Sequence, residues 1–189
     1  ARIELPGLET EARIFEDFAA MVNAINAGEI DVVGLLALEY LEIKDKVSLG
    51  AGIVGTDQDE VPYEEYVLLA LRQGDAKDLK RFQGTTLVLS VGHQGRTPMV
   101  WINTVLLKSG LPEADAFFSD TKTLDKAFSA IRQVLLRQAS LCILNRAAFE
   151  TAVELNPQLG GDLRVVATSP GFCRGLAFFR DAFDQQVQV

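Results

Sequence analysis

The chain has 189 residues, enough for one domain or two small lobes, and at 48% hydrophobic and 23% charged it has an ordinary globular composition that can bury a core. A formal net charge of -8 and a pI near 4.7 argue against nucleic acid and anionic membrane surfaces as partners. One histidine excludes a histidine metal cluster, and no apolar run reaches the roughly 18 residues of a membrane span.

In chain order, residues 2–5 predict a short strand, broken by Pro6 and Gly7. A helix follows over 13–27, with Ile14, Phe18, Met21, Val22 and Ile25 at helical spacing and Gly28 at its end. Residues 31–36 read as a strand, 37–41 as a helical turn carrying Tyr40, and 47–54 as a glycine-containing strand. The string GAGIVG at 50–55 fits a dinucleotide pattern but is not followed by a long helix. Asp57, Asp59 and Glu60 lie in an acidic loop over 56–62 that lacks the glycine and spacing of a calcium loop. No metal and no cofactor is expected. Residues 63–72 are rich in Tyr, Val and Leu and read as a strand, and 75–84 as a polar connector with one Leu79–Phe82 contact.

Residues 85–110 organise the chain. The run 85–91 reads as a buried strand of a parallel sheet, Gly92-His93-Gln94-Gly95-Arg96 as a tight turn, and Thr97 as the N-cap of a helix with Pro98 at its first position. Gly110 closes that helix. A helix N-terminus at the carboxyl end of a strand offers free N–H groups to an anion, and open α/β sheets bind ligands there.

Further on, residues 116–119 read as a short strand. Thr121 or Thr123 then caps a helix with a stripe of Leu124, Ala127, Phe128, Ile131, Val134 and Leu135. Residues 140–144 read as a buried strand, and Asn145 as the cap of a helix over 146–155 that Asn156 and Pro157 stop. Residues 163–168 are a strand, Ser169-Pro170-Gly171 a turn and 172–179 a further strand, with a polar tail from Asp184. Cys142 reads as an inert buried residue; a Cys142–Cys173 bridge is open in an oxidising compartment.

Strand, helix, turn and strand occur in that order over 2–36 and again over 116–144. The repeat predicts two α/β lobes facing across a cleft, with 63–73 and 163–169 as hinge crossings. The first lobe takes 1–66 and 163–189, the second 67–162. Two crossings make a hinge that can close on a ligand. The alternative is a single doubly wound sheet.

The stretches MVNAINAGEIDVVGLLALEYL, YVLLALRQG with DLKRFQGTTLVLSVG, and NPQLGGDLRVVATSPG, in that order and spacing, resemble the phosphate/phosphonate-type (PhnD-like) solute-binding proteins of bacterial ABC importers. The resemblance implies an α/β, two-lobed type 2 periplasmic-binding-protein fold with a mainly parallel sheet flanked by helices in each lobe. It also implies a periplasmic or extracytoplasmic location and no catalysis. The family begins with a strand and helix ahead of the segment matching residues 2–5, so the first lobe reads as lacking them. The resemblance implies that the turn Gly92, His93, Gln94, Gly95, Arg96 and Thr97 grips an oxyanion. Thr97 supplies a hydroxyl and Arg96 a bidentate partner, while the family's serines are absent. It also brings Tyr40 to the first-lobe wall, Asn145 to the ligand and Ser169 to the returning hinge. Their plainer readings are a half-buried aromatic, a helix cap and a turn former.

The leading expectation is a solute-binding protein that captures a phosphonate, phosphate or related oxyanion. Its partners would be the membrane subunits of an ABC transporter or a sensor protein, with no nucleic acid and no membrane insertion. The alternatives are a ligand-sensing domain of a signalling receptor, or a small-molecule enzyme of the menaquinone-pathway type; no nucleophile stands at recognisable spacing from a histidine base.

Overall fold

The computed structural model describes residues 11–56, 60–72, 78–90 and 96–181, so the predicted strand at 2–5, the turn at 92–95, the polar tail and residues 57–59 of the acidic loop lie outside the described residues. The chain forms two sheets joined by a two-stranded ribbon.

The first sheet contains β1 (Val32–Leu35) and β2 (Leu49–Val54), with β10 (Leu176–Arg180) between them and antiparallel to both. Helix α1 (Phe18–Asn26) starts later than the apolar spacing suggests. Asp17 accepts from the amides of Ala19 and Ala20, both at 3.1 Å, and so fixes the first turn. Gly28, at φ +74, lets the chain leave the helix through the left-handed region. Helix α2 (Ala37–Ile43) follows β1 directly. Met21 and Ile25 of α1, Val33 and Leu35 of β1 and Ile43 of α2 make this core, with Tyr40 and Phe178 packed against it.

The glycines of GAGIVG belong to a strand, not to a phosphate-binding turn. A Cβ at Gly52 would lie 2.7 Å from the Phe178 ring, which is stacked on Tyr40 at a centroid distance of 4.7 Å. The ring therefore lies over β2 where the side chain is missing. Gly52→Ala is expected to cost about 1–3 kcal/mol, as overpacking does, read as a lower denaturant midpoint with an unchanged slope.

The second sheet has the order β6-β5-β7-β4-β8. Its strands are β4 (Tyr66–Leu71), β5 (Thr86–Ser90), β6 (Asp120–Thr123), β7 (Leu141–Asn145) and β8 (Leu163–Thr168). The central strands are covered on both faces and read as continuous apolar runs, as such strands should. Tyr66, Leu68, Leu87, Leu89, Leu141 and Ile143 face α3 (Arg96–Lys108) and the short helix α4 (Ala114–Phe117). Val67, Leu69, Val88, Cys142 and Leu144 face α5 (Ala127–Leu135), α6 (Arg146–Leu155) and α7 (Gln158–Asp162).

Each sheet has one strand running against the others: β10 in the first, β4 in the second. The pairings of the first sheet are therefore all antiparallel, and the second sheet is mixed, parallel where β5 meets β6 and β7 and antiparallel where β4 meets β7 and β8. The reversed strands are those that enter from the ribbon. β3 (Tyr63–Glu64) leads into β4, β9 (Phe172–Cys173) leads into β10, and β3 pairs antiparallel with β9. The single strand expected over 172–179 is thus two. Between them Arg174 N donates to Pro62 O at 3.1 Å and Gly175 O accepts from Gly55 N at 2.8 Å, moving the chain from one partner to the next.

Five sequence expectations need correction. Residues 116–119 are not a strand. Ala114 N donates to Asn103 Oδ1 at 2.8 Å and starts the turn of α4, so that Phe117 and Phe118 are both buried, edge to face at 4.9 Å. In a strand these neighbours would point to opposite faces. Thr121 and Thr123 are not caps. They lie in β6, exposed throughout and parallel to β5, and α5 begins after Lys126 with no side-chain cap. Phe128, counted in the stripe of α5, is exposed; Ile131 and Val134 of that stripe are buried as expected, with Ala130 beside them. Thr97 is not the cap of α3: the helix already includes Arg96, so Thr97 and Pro98 lie buried in its first turn. The β8 strand, given by sequence to the first lobe, pairs along its length with β4. The closing end of α3 is as expected. Leu111 N reaches Leu106 O and Gly110 N reaches Leu107 O, both at 3.0 Å, with Gly110 at φ +70.

Candidate ligand site between the two sheets

The strand register places one set of chain ends together. Ser90 lies opposite Leu144, and Asn145 opposite Tyr66. Ser169 N donates to Tyr66 O at 2.9 Å. Ser90, Asn145 and Ser169 therefore mark the carboxyl ends of β5, β7 and β8 along one edge of the second sheet. That edge is where open α/β sheets take ligands.

Asn145 uses both ends of its amide. Its oxygen accepts from Ala147 N at 2.9 Å and caps α6, as the sequence indicates. Its nitrogen donates to Glu64 Oε2, also at 2.9 Å. Glu64 is a carboxylate with 9% of its side chain exposed, and it holds this corner together. Its other oxygen accepts from the Tyr66 hydroxyl, and the Arg174 guanidinium stands 4.0 Å away. These donors and the nearby cation offset the cost of burying the charge. Ser169 is buried and its hydroxyl is engaged twice, accepting from Tyr66 N at 2.8 Å and donating to Pro170 O at 2.7 Å.

Helix α2 of the first core meets the start of α3 through an ion pair. Tyr40 lies half-buried at the rim of the first core, its ring stacked on Phe178 at an interplanar angle of 15°. From the last turn of the same helix Glu42 reaches Arg96, the first residue of α3, at 2.7 Å. The hydrogen bond and charge of Glu42 raise the Arg96 pKa further above its ordinary value. The Arg96 side chain remains 64% exposed. Gly92, His93, Gln94 and Gly95 lie outside the described residues.

Sequence reasoning named Arg96, Asn145 and Ser169 but missed Glu42, Glu64 and Arg174. One signal was available. Glu64 and Tyr66 are two apart in a strand-like run and so share a face. Nothing local points from Glu42 to Arg96.

Two hollows among the described residues lie elsewhere. One of about 500 Å³ is lined by Arg13, Ile14, Phe15 and residues of α1. One of about 210 Å³ lies by Leu71, Arg81 and Arg137, at the opposite end of β4 from Tyr66. Among the described residues no cluster of three or more His, Cys, Asp or Glu is placed to hold a metal, and no helix is long and apolar enough to cross a membrane. Both cysteines are free thiols. Burial pushes the Cys142 thiol up to about 12, while Cys173 in the ribbon is partly accessible. In the folded chain iodoacetamide should label Cys173 and spare Cys142, and mass spectrometry of tryptic peptides reads the difference.

This arrangement, two sheets with one reversed strand each and a double crossing between them, is the two-lobed type 2 periplasmic-binding-protein fold. The chain matches, over residues 3–189, the family described as the periplasmic substrate-binding protein of phosphonate ABC transporters, and it belongs to that family. No curated protein sequence matches it. Among solved structures it is similar to XAC2383 from Xanthomonas citri bound to ATP, at 16% identity and a TM-score of 0.62, covering 94% of this chain and 67% of that one. It is also similar to a binding protein component of an ABC phosphonate transporter from Pseudomonas aeruginosa, at 14% identity and a TM-score of 0.56, covering 94% and 60%. A third is PhnD1 from Prochlorococcus marinus in complex with methylphosphonate, at 14% identity and a TM-score of 0.56, covering 89% and 63%. The chain spans between 60% and 67% of the lengths of these three proteins.

Proposed function

We propose that this chain captures a small oxyanion of the phosphonate or phosphate class between its two sheets, in the periplasm, and presents it to the membrane subunits of an ABC importer. One lobe is the first sheet with α1 and α2, the other the second sheet with α3 to α7, and β3 and β9 are the hinge. Binding, closure and release are the whole cycle, with no chemical step on the solute. One observation carries the reading: the guanidinium of Arg96, the first residue of α3, already holds a carboxylate oxygen of Glu42 on α2 at 2.7 Å. A guanidinium that accepts one planar oxyanion there has the geometry for another. Family membership and the phosphorus oxyanions bound to PhnD1 and XAC2383 support the same ligand class. Tyr40, half-buried on α2, would line the same gap, while Asn145 and Ser169, whose polar atoms are already engaged, and the buried Thr97 would support it from behind.

The test is a thermal shift panel of inorganic phosphate, methylphosphonate, methanesulfonate and acetate. A ligand at a hundredfold excess over its Kd adds about 2.7 kcal/mol to stability, so one oxyanion class should raise the melting temperature by several degrees. If all four leave the melting temperature unmoved, the reading fails.

A further inference from the structure

Arg96 and Glu42 are each set against the field of their own helix. Arg96 opens α3, where the unpaired amides and the positive end of the dipole lie, and no acidic residue stands in that first turn. Glu42 lies in the last turn of α2, at the negative end, and no basic residue stands there. Alone, each charge would be disfavoured by its helix; the bridge relieves both. The two helices also belong to different bodies. α2 is fixed in the first core by Ile43 and by Tyr40 on Phe178, and α3 in the second core by Trp101, Ile102 and Leu106. The bridge therefore spans the gap that a solute would enter.

We propose that the Glu42 carboxylate is a built-in competitor for Arg96: it occupies the guanidinium when no solute is bound, and a solute oxyanion binds by displacing it. The proposal rests on Arg96 being the anion-binding residue. Glu42 then sets affinity and charge preference together. Breaking the bridge costs the same for every incoming anion. The displaced carboxylate then repels the solute in proportion to its charge, and Glu39 on the same helix also acts on Arg96 electrostatically. Glu42 thus weakens binding of all oxyanions, and of doubly charged ones most.

Titration calorimetry at pH 8 with methanesulfonate and inorganic phosphate, on the wild type and Glu42→Gln, tests this. The substitution should tighten methanesulfonate about two- to fivefold, the range open to an exposed ion pair, and tighten phosphate by a larger factor. The ligand-free melting temperature should fall slightly on Glu42→Gln and be indifferent to it in an Arg96→Gln background. Loss of stability together with gain of affinity is a pairing that a merely structural residue would not give. Unchanged or weaker binding of both anions by Glu42→Gln, while the wild type binds at least one, overturns the competitor and leaves the oxyanion reading standing. If the wild type binds neither, the oxyanion reading itself falls, and the competitor with it.

Discussion

Tyr66→Ala is expected to lower stability by about 3–5 kcal/mol, as large truncations in a tight core do. For a chain of this length that is a drop in melting temperature of roughly ten degrees. Tyr66 is fully buried, opens β4 and packs at 6.0 Å from the Phe172 ring of the ribbon. Its amide and carbonyl both bind Ser169, and its hydroxyl binds Glu64. Removing the ring leaves a cavity under β9 and deprives a nearly buried carboxylate of a donor. The loss falls where the two sheets are joined, so the β3–β9 ribbon as well as the core is weakened. A melting temperature within a degree or two of wild type would show that Tyr66 does not hold this corner.

Tyr66→Phe separates the two contributions. It keeps the ring and removes the hydroxyl, so its cost should be about 1–3 kcal/mol, that of an unmade buried hydrogen bond. The same variant has a signature in alkali. Burial, with the hydrogen bond to Glu64 second, raises the Tyr66 pKa above its ordinary value near 10. The unfolded phenol releases its proton near pH 10, while the folded one holds it to higher pH. The stabilisation is thus complete below about pH 10 and is lost as pH rises through the folded value. Tyr66→Phe should show a shallower fall in melting temperature above pH 10 than the wild type.

What could be read from the sequence follows from how local each determinant is. The runs that became β4, β5 and β7 were legible because strands covered on both faces are apolar along their whole length. Asn145 and Gly110 were legible because a cap is a matter of one side chain or one φ angle. The segment over 116–123 was misread for the opposite reason. A strand exposed at every position, such as β6, carries no apolar pattern, and its threonines look like caps. At the candidate site, Arg96 was singled out by its place just ahead of a helix-forming run. Its partner Glu42 was not, because their meeting depends on how helices of two different cores approach each other. Glu64 sits in plain sight two residues from Tyr66, but its bond to Asn145 joins positions 81 apart. No short-range rule links them.

Arg96→Ala is expected to weaken oxyanion binding by about ten- to hundredfold, the worth of a charged hydrogen-bonding partner. Arg96→Lys should recover part of the loss. A lysine restores the charge but not the planar fork that holds two oxygens at once. The effect on folding should be small, because the Arg96 side chain is 64% exposed and its bridge to Glu42 is open to solvent. Titration of inorganic phosphate or methylphosphonate into the wild type and both variants, beside their ligand-free melting curves, keeps the two effects apart. Equal affinity in wild type and Arg96→Ala would remove Arg96 from the site, whatever the chain binds. A graded loss in the order Arg, Lys, Ala with superimposable melting curves would instead fix the anion at the carboxyl end of β5. The remaining specificity would then rest with what surrounds that guanidinium, first of all Glu39 and Glu42 of α2.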